Sequence, residues 1–358
     1  MRDVIFALRM LRKAPLVSAI AILALALGIG ANAAIFTVVH AVLLKRLPYP
    51  QPQQLVQVCR QYATGDNEVF VAVANFLDWR SQNTVFAELA AYDPGNFNLA
   101  GAGELPERVG GLRVDTNFLA ALGLHPAYGS DFRASDDEPG RPPVALISYA
   151  LWRSRFGADP SLVGRTVDIN SRPVPILGVL PPNFLFPGNP QVLEPLQPEA
   201  MTTGRSTNVI NVIGRLKPDV SLAAAQQEMH AIGARLSKQY PKADGTHTVG
   251  LVPLQQQWTG SQGPTLWMLF GATGLVLLIA CADLANLLLA KATARRREIA
   301  IRLALGATGG RIVRQLLTES ILLALAGGVV GLGIGLAALH AALPFLPAGM
   351  LLDPGATT

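Results

Sequence analysis

Three long apolar runs frame this chain, one near its start and two close together near its end. Leu16 to Leu44 holds 29 residues without Asp, Glu, Lys or Arg, more than the roughly 20 that a membrane-spanning helix needs. The second run covers Leu266 to Ala290 and is interrupted by Asp283 and Asn286; the third begins near Ile321 and continues to about Leu343. Ahead of the first run, "RDVIFALRMLRK" puts Val4, Ile5, Leu8 and Leu11 on one helical face, with Arg9, Arg12 and Lys13 elsewhere. That is the pattern of an amphipathic helix lying in a membrane interface. The small residues "ANA" at 31–33 look like a signal-peptide cleavage site. The run containing them far exceeds a signal core of about 7–15 residues, which favours a retained span.

Between the first two runs the pattern shortens and mixes, as in an α+β domain. "PVALISYALWRSRFG" predicts a strand over Val144 to Ile147, then a helix with Leu151, Trp152 and Phe156 spaced on it. "RTVDINSRPVPILGVL" predicts two strands around Asn170-Ser171, a turn-prone pair. "NVINVIGRL" reads as a further strand, and Ser221 is placed to cap a helix from Leu222 to about Tyr240. Its apolar stripe is Ala225, Met229, Ile232 and Leu236. The Pro/Gly clusters over 181–198 read as a loop.

Charge sharpens the division. Half of the 358 residues are hydrophobic and 15% are charged, below the roughly 25% usual for soluble domains. Residues 47–264 carry 16 Lys/Arg against 19 Asp/Glu, whereas the remainder carries 13 against 5. The net charge of +5 therefore belongs to the membrane flanks, which argues against a nucleic-acid partner. Four Lys/Arg in the first thirteen residues and seven over 291–314 predict that both segments are cytoplasmic. The middle region then lies outside the membrane. Cys59, in that region, would react there with an impermeant thiol reagent, and a disulfide to Cys281 within the second run is not expected.

The chain holds no G-x-S-x-G, H-E-x-x-H, S-x-x-K or C-x-x-C, its five histidines are scattered, and "GATGGR" lacks the Lys-Ser/Thr of a phosphate-binding loop. Neither catalysis nor a metal or other cofactor is expected. "SDDEPG" at 135–140 reads as an acidic solvated loop. Asp283 is a candidate intramembrane polar site, because burying a carboxylate in lipid is costly; lying near the end of its run, it can also stay hydrated. Gly327, Gly331 and Gly335 repeat every four residues and offer a close-packing face to another helix.

The densest charge lies in "ARRREIAIRLALGATGGRIVRQLLTES", residues 294–320, which carries six arginines. Glu298 and Arg302 are four apart with the acid first, the favoured order for a helical pair. Ile299 and Leu303 form an apolar edge beside them, and Gly306, Gly309 and Gly310 break the helix before Ile312, Val313, Leu316 and Leu317 restart it. A plain positive loop would need the charge, but neither the edge nor the hinge.

Here the sequence resembles the MacB/FtsX-type permeases of ABC transporters, in particular the acidobacterial tandem type. The matching stretches are "REIAIRLALGAT", "RQLLTES", the glycine-rich third run, the outer "LISYALWRSRFGADPSLVGRTVDINSRPVPILGVLP" and the N-terminal "ALRMLRKAPLVSAIAILALALGIGANAAIFTVV". The resemblance implies an α+β membrane protein with a large periplasmic core domain between the first and second spans. It divides the chain into an amphipathic helix (1–15), a first span (16–44), the core domain (45–264), a second span (265–290), a cytoplasmic elbow (291–317), a third span (318–343) and a periplasmic tail (344–358). It further implies a bacterial inner-membrane location and docking of the elbow on a separate ATPase subunit through Arg295, Arg296, Arg297, Glu298, Ile299, Arg302, Leu303, Gly306 and Ala307. A second copy or second permease half, a periplasmic adaptor and the lipid bilayer complete the implied partners. Two uses follow: ATP-driven export of a periplasmic or membrane-derived substrate, or FtsX-like control of periplasmic cell-wall hydrolases. The roughly 220-residue, two-part outer region favours the first. The family usually has Asn at the place of Asp283, a fourth span and, in the tandem form, a second unit. The expectation is therefore of a fragment, a truncated form or the first half of a split permease.

Overall fold

A computed structural model describes residues 15–40, 46–100, 106–201, 204–260, 263–294 and 309–342. They fall into two compact units: the three long apolar helices, and the intervening residues from 46 to 260.

In the first unit α1 spans Pro15–Val39. After the intervening domain come two more long helices, Gly263–Ala294 and Gly309–Ala342. Each contains a stretch long and apolar enough to cross a membrane: Ser18–Val39, Gly263–Asn286 and Leu317–Ala338. Large apolar side chains such as Leu27, Leu278 and Val329 are 61%, 66% and 72% exposed. Patches of that kind are not left facing water in a soluble protein; hydrocarbon is the solvent that accommodates them.

The second unit is an α+β domain built on one mixed sheet. In chain order its elements are β1 (Leu55–Tyr62), β2 (Asn67–Glu68), β3 (Val71–Ala72), α2 (Val73–Gln82), β4 (Phe86–Ala100), β5 (Glu107–Val114) and α3 (Phe118–Leu122). Then come β6 (Tyr128–Gly129), β7 (Ala145–Ile147), α4 (Tyr149–Ser154), β8 (Thr166–Ile169), β9 (Arg172–Val179), β10 (Val192–Pro195) and β11 (Asn208–Leu216). α5 (Leu222–Gln239), α6 (Pro241–Asp244), β12 (His247–Pro253) and α7 (Leu254–Thr259) complete it. The long helices 263–294 and 309–342 are α8 and α9. The sheet order is β12-β1-β11-β4-β5-β10-β7-β9-β6, with β8 beside β4 and β9. Pairing is antiparallel except where β10 meets β5 and β7 meets β9.

The 15-residue β4 joins the two halves of this domain. Its first part pairs with β11, its second with β5, and its tip with β8. One half packs Phe76, Trp79, Met229 and Ile232 over the β1–β11 side; the other packs Phe97, Ile147, Trp152 and Ile169 over the β7–β9 side. A third cluster, with Tyr92, Phe118 and Phe186, contains residues from both sides of the junction. Gly111 makes one close approach possible: a Cβ there would lie 2.4 Å from the Val192 carbonyl oxygen and 2.5 Å from the Phe97 ring.

Local chemistry explains the elements that the pattern predicts. Asn170 and Ser171 have φ of 53° and 61°, the left-handed pair of a type I′ turn, whose twist suits a two-residue hairpin. The Ser221 hydroxyl accepts from the Ala224 amide 3.2 Å away and caps α5, whose buried face is Ala225, Met229, Ile232, Gly233 and Leu236.

Three expectations need correction. The segment 181–198 is not wholly loop, because Val192–Pro195 forms β10 between β5 and β7. Four residues, the last of them Pro195, carry no readable period; the neighbouring strands select the conformation. Cys59 is not a labelling site: it is fully buried, and its thiol donates to the Gly250 carbonyl at 3.3 Å. Burial pushes its pKa up to about 11, so little reactive thiolate exists near neutral pH. "SDDEPG" is not a purely solvated loop either, for the reason given next.

Candidate functional site

The predicted elbow residues Arg295, Arg296, Arg297, Glu298, Ile299, Arg302, Leu303, Gly306 and Ala307 lie outside the described residues. What is described are the helices on either side. α8 continues to Ala294, eight residues beyond the apolar stretch that ends at Asn286, and α9 begins at Gly309. Glu319, near the start of the third apolar stretch, is 3% exposed. Sequence reasoning places it in the third span (318–343) and assigns it no role; its only sequence signal is an acid two residues inside the stretch Leu317–Ala338.

Gly327, Gly331 and Gly335 all face α1. A Cβ on Gly327 would lie 2.7 Å from Leu25 Cβ, one on Gly331 2.8 Å from the Ala26 oxygen, and one on Gly335 2.9 Å from the Gly30 oxygen. Reciprocally, a Cβ on Gly30 would lie 2.6 Å from the Gly331 oxygen. The first and third apolar helices therefore meet backbone to backbone. Gly30 was not singled out from the sequence, because "LGIGA" has a weaker repeat than α9. α8 approaches α1 elsewhere, where a Cβ on Gly28 would lie 3.0 Å from Leu277 and Thr273 donates to Asn32 at 3.4 Å. Asp283 and Asn286 line a groove of about 460 Å³ between α1 and α8.

Two buried polar assemblies hold the sheet domain together. In the first, Asp115 at the end of β5 is 3% exposed and accepts from Arg80 of α2 at 3.1 Å. Arg80 also reaches Glu199 at 3.3 Å. Asp137, from "SDDEPG", accepts from the amides of Thr116 and Gln197 at 3.1 and 2.8 Å, while Asp136 accepts from the Arg133 amide at 2.7 Å. The acidic loop is thus a staple joining three chain segments, visible only once Thr116 and Gln197 are brought beside it. In the second assembly, Arg205 binds Asn75 and Asp78 of α2 at 2.6 and 2.7 Å, and Asp244 of α6 at 3.5 Å. Among the described residues no group of three or more His, Cys, Asp or Glu is placed to hold a metal.

The first assembly is proton-linked. Burial, then the neighbouring Asp137 charge, pushes Asp115 up to about 7 against the pull of Arg80. An unfolded Asp titrates near 4, so the folded state binds this proton more tightly. The stability it confers is complete below about pH 4 and is lost as pH rises towards 7. Unfolding of the full chain in detergent, followed by tryptophan fluorescence, is expected to show a loss of about 1–3 kcal/mol between pH 5 and pH 8. Asp115→Asn, neutral throughout, should flatten that slope; a wild-type profile independent of pH would refute the linkage.

Comparison with known proteins is consistent in kind. The MacB-like periplasmic core domain family matches residues 18–232, and the FtsX-like permease C-terminal family matches residues 270–353. The chain is similar to the macrolide export ATP-binding/permease protein MacB of Rhodospirillum rubrum, at 29% identity over 235 residues, covering 64% of this chain and 35% of that protein. It is also similar to the pyoverdine export ATP-binding/permease protein PvdT of Pseudomonas aeruginosa, at 28% identity over 251 residues, covering 65% and 36%. The chain spans about a third of the length of the curated relatives it matches. The periplasmic region of MacB from Actinobacillus actinomycetemcomitans aligns with a TM-score of 0.43 at 13% identity, covering 59% of this chain and 92% of that one.

Proposed function

We propose, since this chain belongs to the MacB/FtsX-type ABC transporter permeases and is a membrane protein with a MacB-like periplasmic core domain, that it passes motion from an ATPase subunit to that domain. The observation that carries the reading is the elbow sequence inside the FtsX-like match, set between two helices each able to cross a membrane. ATP hydrolysis resides on the separate subunit, and the chain itself supplies no catalytic group. The elbow docks through Arg295, Arg296, Arg297, Glu298, Ile299, Arg302, Leu303, Gly306 and Ala307. Charge holds this segment on the cytoplasmic side, Ile299 and Leu303 give the partner an apolar contact, and the glycines let the chain turn back. The N-terminus is then cytoplasmic, the core domain lies in the periplasm, and the lipid around the helices is the inner membrane.

The chain works with a second copy or a second permease half, and with a periplasmic adaptor that receives the cargo. That cargo is a periplasmic or membrane-derived molecule such as a drug, a peptide or a lipid-linked compound. Support comes from the export proteins MacB and PvdT to which the chain is similar, and from the joined halves of the core domain, which suit it to transmit force. α1 and α9 move as one body in this scheme, because their backbones interlock.

Co-expression with a candidate ABC ATPase subunit from the same organism, followed by affinity purification in detergent, tests the docking. Leu303→Asp and Glu298→Arg should each lower ATPase recovery at least tenfold while leaving the yield of the chain unchanged. Recovery equal to wild type for both variants would overturn the elbow assignment.

A further inference from the structure

The chemistry of the groove between α1 and α8 is uneven. Ala21, Ala24 and Ala280 leave the space; Asp283 and Asn286 supply the polar groups. At about 460 Å³ it falls within the range of small-molecule sites. Asp283 lies three residues inside the apolar stretch ending at Asn286, about 4.5 Å along the helix axis, so it belongs near the boundary between hydrocarbon and headgroups.

Among the described residues the charge there is unbalanced. Leu16 to Leu44 contains no ionisable Asp, Glu, Lys or Arg, and Asp283 is the one such residue of α8 between Gly263 and Ala290. Among the described residues no hydrogen bond or ion pair engages it. Lys291 follows eight residues later, about 12 Å along the axis. A carboxylate at this depth, on the wall of a mostly apolar groove, favours a cation over a neutral molecule of the same shape, since attraction strengthens as water is excluded.

We infer that this groove binds a monovalent organic cation with an apolar body, an amphiphile that enters from the bilayer. Its ammonium pairs with Asp283 and donates to the Asn286 amide oxygen, while its apolar body lies over Ala21, Ala24 and Ala280. Amphiphilic amines already hold their charge at the headgroup boundary with the tail in hydrocarbon, which matches the depth of the carboxylate. The inference needs only that the helices lie in a bilayer; it stands whether or not the elbow docks an ATPase.

The test is equilibrium binding to the full chain in phosphatidylcholine nanodiscs. A dansyl-labelled decylammonium is compared with its uncharged decyl-alcohol counterpart. The cation is expected to bind saturably and at least tenfold more tightly than the alcohol. Asp283→Asn should remove that preference and leave alcohol binding unchanged. Asp283→Glu should restore it, and Ala24→Trp should abolish binding of both probes by filling the groove. Equal binding of the two probes to wild type, or an unaltered preference in Asp283→Asn, would overturn the site. So would a disulfide between two copies through Ala24→Cys on a Cys281→Ser background, since a second chain would then occupy the groove.

Discussion

Gly331→Leu should yield almost no folded protein from mild detergent, whereas Gly333→Leu, two residues on, should behave as the parent. The contrast follows from what each new side chain meets. At Gly331 the first added carbon would lie 2.8 Å from the Ala26 oxygen and 3.1 Å from the Ala26 Cα; at Gly333 nothing lies within 4 Å. Both contacts at Gly331 are backbone atoms of α1, so no rotamer change relieves them and the helices must separate. In lipid, separation is especially damaging, because no hydrophobic effect draws apolar helices together and close packing carries most of their association. Overpacking of this kind costs about 1–3 kcal/mol where side chains yield. With unyielding backbone on the other side, a loss at or above that upper figure is expected. Heating each variant in detergent and following the monodisperse peak by size exclusion measures it. Equal melting of the two leucine variants would mean that α1 and α9 do not pack through this face.

The glycine repeat on α9 could be seen in the sequence because a spacing of four on a helix marks one face without knowledge of the partner. Which helix that face meets could not, since the choice between α1 and α8 is tertiary. The same limit recurs in the sheet domain. The β8–β9 hairpin and helix α5 were legible because Asn170-Ser171 and Ser221 act on their immediate neighbours. β10 was not: its four residues extend because β5 and β7 present open edges on either side. Asp137 looked like a solvated loop acid because its two amide donors are 21 and 60 residues away in sequence. Cys59 looked available because "LVQVCRQY" alternates weakly enough to hide that its first six residues are all buried. For the elbow, the ordering of Glu298, Arg302 and the Ile299/Leu303 edge is a sequence observation, and its use in docking is the proposal tested by the purification above. Local signals survived the reading, while contacts between distant segments had to come from the fold.

The Asp244 assembly shows how much can depend on such a distant contact, and Asp244→Ala should be among the most damaging changes in the sheet domain. The Asp244 side chain is 5% exposed and faces the Arg205 guanidinium at 3.5 Å. It also accepts from the Asn75 amide at 2.9 Å and lies 3.7 Å from His247 Nε2. Arg205 stacks on the Tyr240 ring, 3.7 Å from its centroid, so one guanidinium joins α2, the end of α5 and α6. Removing the carboxylate would leave a partly buried cation, 18% exposed, with only Asp78 as its ionic counterpart among the described residues, and the Asn75 amide without its acceptor. Breaking a buried pair from one side costs about 3–5 kcal/mol, and the remaining Asp78 contact argues for about 3. Asp244→Asn keeps the shape and one acceptor oxygen and should lose about half as much. Urea unfolding of the full chain in detergent, followed by Trp79 and the other tryptophans, provides the measurement. The midpoint should fall in the order wild type, Asn, Ala with an unchanged slope. If Asp244→Ala unfolded with the wild-type midpoint, α6 would be a passive cap and the Arg205 link would rest on Asp78 alone.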